Sequence, residues 1–155
     1  PINLYVALAV AVTAVMWVVW NKTAFGKNMF AVGSNEEAAR VSGVNVGLTI
    51  ILVFTIAGAT YGYTGFVEAA RVGASTGTIG LSYDLDGIAA CVIGGVSFVG
   101  GIGKISGVIL GVFLMQLIIS GMTFLGISGN TTYVIKGLVI LIACAIDMRK
   151  YLTKK

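Results

Sequence analysis

Three stretches of this chain are apolar over bilayer-like lengths, a fourth is apolar but shorter, and a fifth is apolar but studded with glycine. A crossing helix needs about 20 predominantly apolar residues. Residues 2–20, 44–67 and 105–127 meet that length, and 133–148 is shorter. Trp17 and Trp20 stand at the end of the first run, where interfacial aromatics collect. The fifth stretch, 85–103, carries Gly87, Gly94, Gly95, Gly100, Gly101 and Gly103. Each glycine costs a helix interior about 1 kcal/mol relative to alanine. The pattern predicts a broken or kinked helix there, tolerated where protein surrounds it. The expected fold class is all-α: a polytopic transmembrane helix bundle of about five spans, one of them glycine-broken.

A charged stretch, "SNEEAARVSGVNV" at 34–46, separates the first two runs. Ser34 followed by Glu37 fits the S-x-x-E capping box. Glu36 and Glu37 fall in the first turn and Arg40 in the last, which suits a helix dipole. Gly43 fits a left-handed C-terminal cap. These signals predict a short helix over 35–42. Such a helix is marginal alone in water, because nucleation is costly for so few residues. Something must support it, and Ala38, Ala39 and Val41 offer a small, low-relief surface. From the residues alone, the stretch reads equally well as a surface turn between two spans.

Composition sharpens the class. The 155 residues are 57% hydrophobic and only 10% charged, with a mean hydropathy of +0.99. Soluble domains carry about 25% charged residues. An integral membrane protein is expected, and its net charge of +4 is not a nucleic-acid signal. There is no histidine, so His ligands and His bases are excluded. Cys91 and Cys144 lie in apolar runs, make no metal or redox motif, and read as small buried hydrophobes. Pro1 opens directly into an apolar run with no basic segment before it. That is not a signal peptide, and the chain is expected to be the C-terminal part of a longer protein.

Charge position sets the parity of crossings. Lys22, Lys27 and Arg40 lie in 21–43, and Arg149, Lys150, Lys154 and Lys155 close the chain. The positive-inside rule places both regions in the cytoplasm. The run 44–67 then goes out, 85–103 comes in, 105–127 goes out and 133–148 comes in. Lys104 also lands inside. The segment 68–84 becomes the main external loop, and 126–132 is a second, uncharged one. A purely re-entrant 85–103 would strand the four terminal basic residues outside. Single cysteines at Asn28 and Thr153 should accordingly be protected from an impermeant reagent, and one at Ser75 should react. Lys136, near the start of the last run, is expected to snorkel to the interface. Asp147 is expected to pair with Arg149 and Lys150 there. Gly58 and Gly62 repeat at four, as do Gly103, Gly107 and Gly111, the small-xxx-small spacing that lets membrane helices approach closely. Gln116 is an amide within its run that either bonds across helices or faces a pathway.

The sequence also carries a resemblance. Glu37-Ala38-Ala39, three residues, then Gly43 has the E-A-A-x-x-x-G spacing of the cytoplasmic loop in permease subunits of ATP-binding-cassette importers. "FGKNMFAVGSNEEAARVSGVNV" and "YDLDGIAACVIGGVSFVGGIGKISGVILGV" resemble the sugar-type permeases of the ribose and galactose systems. "VEAARVGASTGTIGLSYDLDGIAACVIGGVSF" is most similar to the galactoside type. The likeness runs from about Thr23 onward, over a single transmembrane permease domain, 1–155.

The resemblance implies a membrane subunit that is not itself an enzyme. Two permease copies would form the pathway in lipid, and an external sugar-binding protein would deliver substrate. ATP and Mg would sit on a partner ATPase. The 21–43 loop would carry the coupling helix seated in that ATPase, with Ser34, Glu36, Glu37, Ala38, Ala39, Arg40 and Gly43 forming it. Glu68 and Arg71, three apart on one helical face, would dock the binding protein or line the outer mouth. They read equally as an ordinary interfacial pair. Asp84 and Asp86 would border the sugar route or simply cap a helix. "GGIGKIS" is no nucleotide loop: Phe98 stands where the first glycine of G-x-x-x-x-G-K-[ST] belongs, and Ile105 follows the lysine. The alternative class is a secondary transporter or channel, whose helices are also glycine-broken. Against it, no acidic residue or histidine lies deep in an expected span to relay protons. No constellation of Ser, Cys or Asp points to an intramembrane enzyme.

Overall fold

The computed structural model describes residues 3–74, 76–78 and 80–152. Pro1, Ile2, Ser75, Thr153, Lys154 and Lys155, which enter the span, labelling and charge expectations, lie outside them. The described residues are all-α, with seven helices and no strand. The four helices Leu4–Lys22, Val46–Val72, Ile105–Phe124 and Gly129–Arg149 are long and apolar enough to cross a membrane. The chain divides into two compact units, Pro1–Gly80 and Leu81–Lys155.

In the first unit, α1 (Leu4–Lys22) begins at Asn3, whose side chain accepts from the Tyr5 N–H at 3.3 Å. It stops at Thr23, whose extended backbone also starts α2 (Ala24–Ser34). The Thr23 hydroxyl donates to the Val19 carbonyl at 2.6 Å and accepts from the Gly26 N–H at 3.2 Å, tying the two helices together. The turn is so tight that Gly26 is buried, and a Cβ there would collide with the Trp20 carbonyl. No long apolar run predicts α2. It is formed by eleven mixed residues and packs on α1 and on the later helix α4. After α3 (Glu36–Val41), Asn45 caps α4 (Val46–Val72) by accepting from the Leu48 N–H at 3.0 Å. α4 ends at Gly73, left-handed at φ 72°. It therefore includes Glu68–Val72, and the expected loop 68–84 shrinks to 73–82. The Tyr5 hydroxyl donates to the Ala70 carbonyl at 3.2 Å, so the start of α1 meets the end of α4 and the two run antiparallel.

The second unit holds α5 (Tyr83–Ile93), α6 (Ile105–Phe124) and α7 (Gly129–Leu152). The glycine-rich stretch does break, after Ile93. α5 has eleven residues, which is about 16 Å, half of a hydrocarbon core about 30 Å thick. An irregular segment over 94–104 carries the chain on to α6, with left-handed turns at Gly95, Gly100 and Gly101. The fifth expected crossing is thus not one continuous helix. Its direction follows from contacts. Gly94 meets Gly107 and Ala90 meets Gly111, so α5 and α6 are antiparallel. Asp86 meets Lys136 and Ser97 meets Asp147, so α5 and α7 are parallel. Ala89, Ala90 and Met115 form the buried centre of this unit, flanked by Ile93, Ile118, Ile119, Val139 and Ile140.

Glycine packing is unevenly used. A Cβ at Gly107 would strike the Gly94 carbonyl, and one at Gly111 the Ala90 carbonyl. Gly103 lies against the Val96 side chain, 3.3 Å from a Cβ position. Around Gly58 and Gly62 nothing stands within 4 Å among the described residues, so there the spacing of four brings no helix close.

Candidate functional site

The charged loop forms a real but displaced helix. α3 spans Glu36–Val41, and its N-cap is Asn35, whose side chain accepts from the Ala38 N–H at 2.9 Å. Ser34 is instead the last residue of α2, so the expected capping box with Glu37 does not form. The physical reason is competition: the Asn35 N–H closes α2 on the Ala31 carbonyl, and its extended backbone leaves its side chain to start α3. Arg40 pairs with Glu36 at 3.1 Å, both largely exposed, an i,i+4 contact of a few tenths of a kcal/mol, about 0.3–0.5. Gly43 is left-handed at φ 84° and carries the chain towards Asn45 and α4.

Ala39 corrects the expected surface. It is 3% exposed, the one residue α3 buries as it packs on α2 and α4. A large residue at 39 would therefore disturb the protein itself and says nothing about a partner. The outward face is Glu36, Glu37, Ala38, Arg40 and Val41, and Val41 is 90% exposed. The support that so short a helix needs comes in part from α2, an element with no signal in the apolar pattern.

Two polar contacts in the second unit tie α7 to α5 and to the turn after it. Lys136 does not snorkel: it is 7% exposed, and its Nζ lies 2.6 Å from Asp86 Oδ1 and donates to Oδ2 at 2.9 Å. The Lys136 ammonium also stands 5.8 Å from the Tyr133 ring centroid. Taking a lysine out of water is costly unless it is paired, and the pair meets that condition. Asp86 and Asp84 lie in the first turn of α5, whose N-cap Ser82 makes no side-chain capping bond. Asp147, expected in an interfacial charge cluster, accepts from the Ser97 hydroxyl at 2.8 Å and from the Phe98 N–H at 3.1 Å. It thereby holds the turn after α5. The signal that could have found both is the spacing of Lys136 and Asp147, eleven residues apart and hence on one stripe of α7.

The remaining polar positions are local. Arg71 Nε donates to Glu68 Oε2 at 2.9 Å, and its Nη2 lies 2.6 Å from Oε1, a two-pronged pair at the end of α4. Gln116 is exposed and bonds within its own helix, to Ser120 at 3.4 Å. Cys91 and Cys144 are free and half-buried. No group of His, Cys, Asp and Glu among the described residues could hold a metal ion.

A family described as the permease component of branched-chain amino acid transport systems matches residues 2–144. The chain belongs to this family. With four helices of bilayer length, the permease chain is a multi-pass protein of the inner membrane. It is 49% identical, over 99% of its length, to the galactose/methyl galactoside import permease protein of Escherichia coli K12. The same figure holds over 97% of the chain for the Haemophilus influenzae protein of that name. The ribose import permease protein of Bacillus subtilis is 39% identical over 88% of the chain. The chain spans 45% of the length of each of the first two relatives and 42% of the third. No solved structure matches it. Asp86 stands in the first turn of α5, and among the described residues no acidic residue lies deep in a bilayer-length helix, as expected from the sequence.

Proposed function

We propose that the permease chain forms part of the sugar pathway of an ATP-driven importer, for galactose or methyl-galactoside-like sugars. The observation that carries this reading is the higher identity to the galactoside relatives, over nearly the whole chain, than to the ribose relative. A separate ATPase subunit, holding ATP and Mg, docks on α3 from the cytoplasm. A second permease copy completes the pathway, and an external binding protein delivers the sugar near 73–82. Lys22, Lys27, Lys104 and Arg149 face the cytoplasm in this arrangement, in keeping with the positive-inside rule.

α3 suits the coupling role physically. It is short, seated on α2 and α4, and exposes two acids, an arginine and one bare valine. A push on it passes directly into α4 through the turn at Gly43. Deleting the gene that encodes the chain should abolish galactoside uptake at low sugar concentration. Unchanged galactoside uptake with lost ribose uptake would overturn the substrate assignment while keeping the family.

A further inference from the structure

Lys136 and Asp147 are eleven residues apart on α7 (147 − 136), and their partners Asp86 and Ser97 are eleven apart (97 − 86). Eleven residues make about three turns at 3.6 per turn, so Lys136 and Asp147 lie on one stripe of α7. The stripe between them is apolar, and Val139 and Ile140 pack towards Ala89 and Ala90. α5 is therefore tied to α7 near its start by Asp86–Lys136, the turn after it is tied to α7 by Ser97–Asp147, and between them Ala89 and Ala90 face Val139 and Ile140. Against α6 the contact is different: Gly94 and Ala90 meet Gly107 and Gly111 backbone to backbone.

We infer that α5, the turn that follows it and α7 move as one body during transport, with Asp86–Lys136 and Ser97–Asp147 as the two positioning pairs that join them. α5 is too short to anchor itself by crossing the bilayer. A free half-helix of eleven residues would tilt independently of its neighbours. Two polar attachments about 16 Å apart along α7 remove that freedom. The buried lysine explains why the joint is strong: separating α5 would leave Lys136 charged and unpaired in a low-dielectric setting.

The inference rests on the importer reading, so the test has one readout that needs no transport. Spin labels are placed by Ile88→Cys on α5 and Leu141→Cys on α7, both exposed, in the full-length assembled transporter with Cys91→Ala and Cys144→Ala. The expected result is a single narrow distance distribution, the same without nucleotide and with ATP bound. Single removal of Lys136 or Asp86 leaves a bare charge and threatens insertion, so the pair is neutralised together by Asp86→Asn with Lys136→Met. That variant should insert, show a broadened distribution, and lose about tenfold in maximal uptake rate, with KM for the sugar unchanged. Asp86→Cys with Lys136→Cys, joined by a short bis-thiol linker, should recover uptake. A distance that shifts between nucleotide states, a neutral variant with native distances, or a linker that fails to restore uptake overturns the inference. Absence of galactoside uptake by the unaltered protein, with the narrow distance intact, overturns the substrate reading alone.

Discussion

At the scale of single residues, the glycines separate into those that the fold uses and those that it leaves open. Gly111→Ala places a Cβ on the Ala90 carbonyl, and neither backbone can yield without parting α5 from α6. That variant should lower the melting temperature in detergent clearly. Gly58→Ala adds a methyl to open space and should leave it level or raised, since alanine favours a helix by about 1 kcal/mol over glycine. Equal losses from both would mean that Gly58 meets something beyond the described residues. Gly43→Val forces a β-branched residue to φ 84°, at about 1–2 kcal/mol. It should reduce uptake while the protein still inserts. Gly43→Asn, which tolerates that backbone, should retain most of it. Normal uptake and assembly in Gly43→Val would reduce the α3 connection to a plain linker. Asn35→Ala removes the cap of α3, at about 0.5–2 kcal/mol, whereas Ser34→Ala should cost little.

At the scale of elements, bilayer-length helices were legible because length and apolarity alone define them. α1, α4, α6 and α7 start or end within a few residues of the expected runs. α2 was not legible, because "AFGKNMFAVGS" mixes lysine, asparagine and glycine with four large apolar residues, and its helix depends on packing against α1 and α4. The cap moved from Ser34 to Asn35 for a related reason: α2 claimed Ser34 first. The pairing of Lys136 is hidden in the sequence, because an isolated lysine near a span end normally reaches for water, and its partner lies fifty residues away. Only the pairing of two distant stripes reveals it. Sidedness is tested by labelling at described positions. Cysteine replacements at Asn28 and Lys104 should resist an impermeant thiol reagent in intact cells, and one at Gly77 should react. Reaction at Lys104 from outside would mean that α5 and the segment after it turn back to the external face.

At the scale of the whole molecule, the length of α4 sets a condition on the membrane around it. Its 27 residues measure about 40 Å, well over a hydrocarbon thickness of about 30 Å. Standing upright from Val46, the helix leaves hydrocarbon after about twenty residues, just short of Glu68. The Glu68–Arg71 pair thus works as a depth mark. Leaning further would drag both charges into oil, so the pair opposes the tilt by which over-long helices usually adjust to thin bilayers. Replacing both with leucine should let α4 lean in short-chain lipids, an increase that oriented solid-state NMR would record. The native helix should hold its angle and make the lipid adapt instead. Acyl-chain length, a property of the cell's growth temperature and diet, then becomes an input to how α4 sits in its membrane.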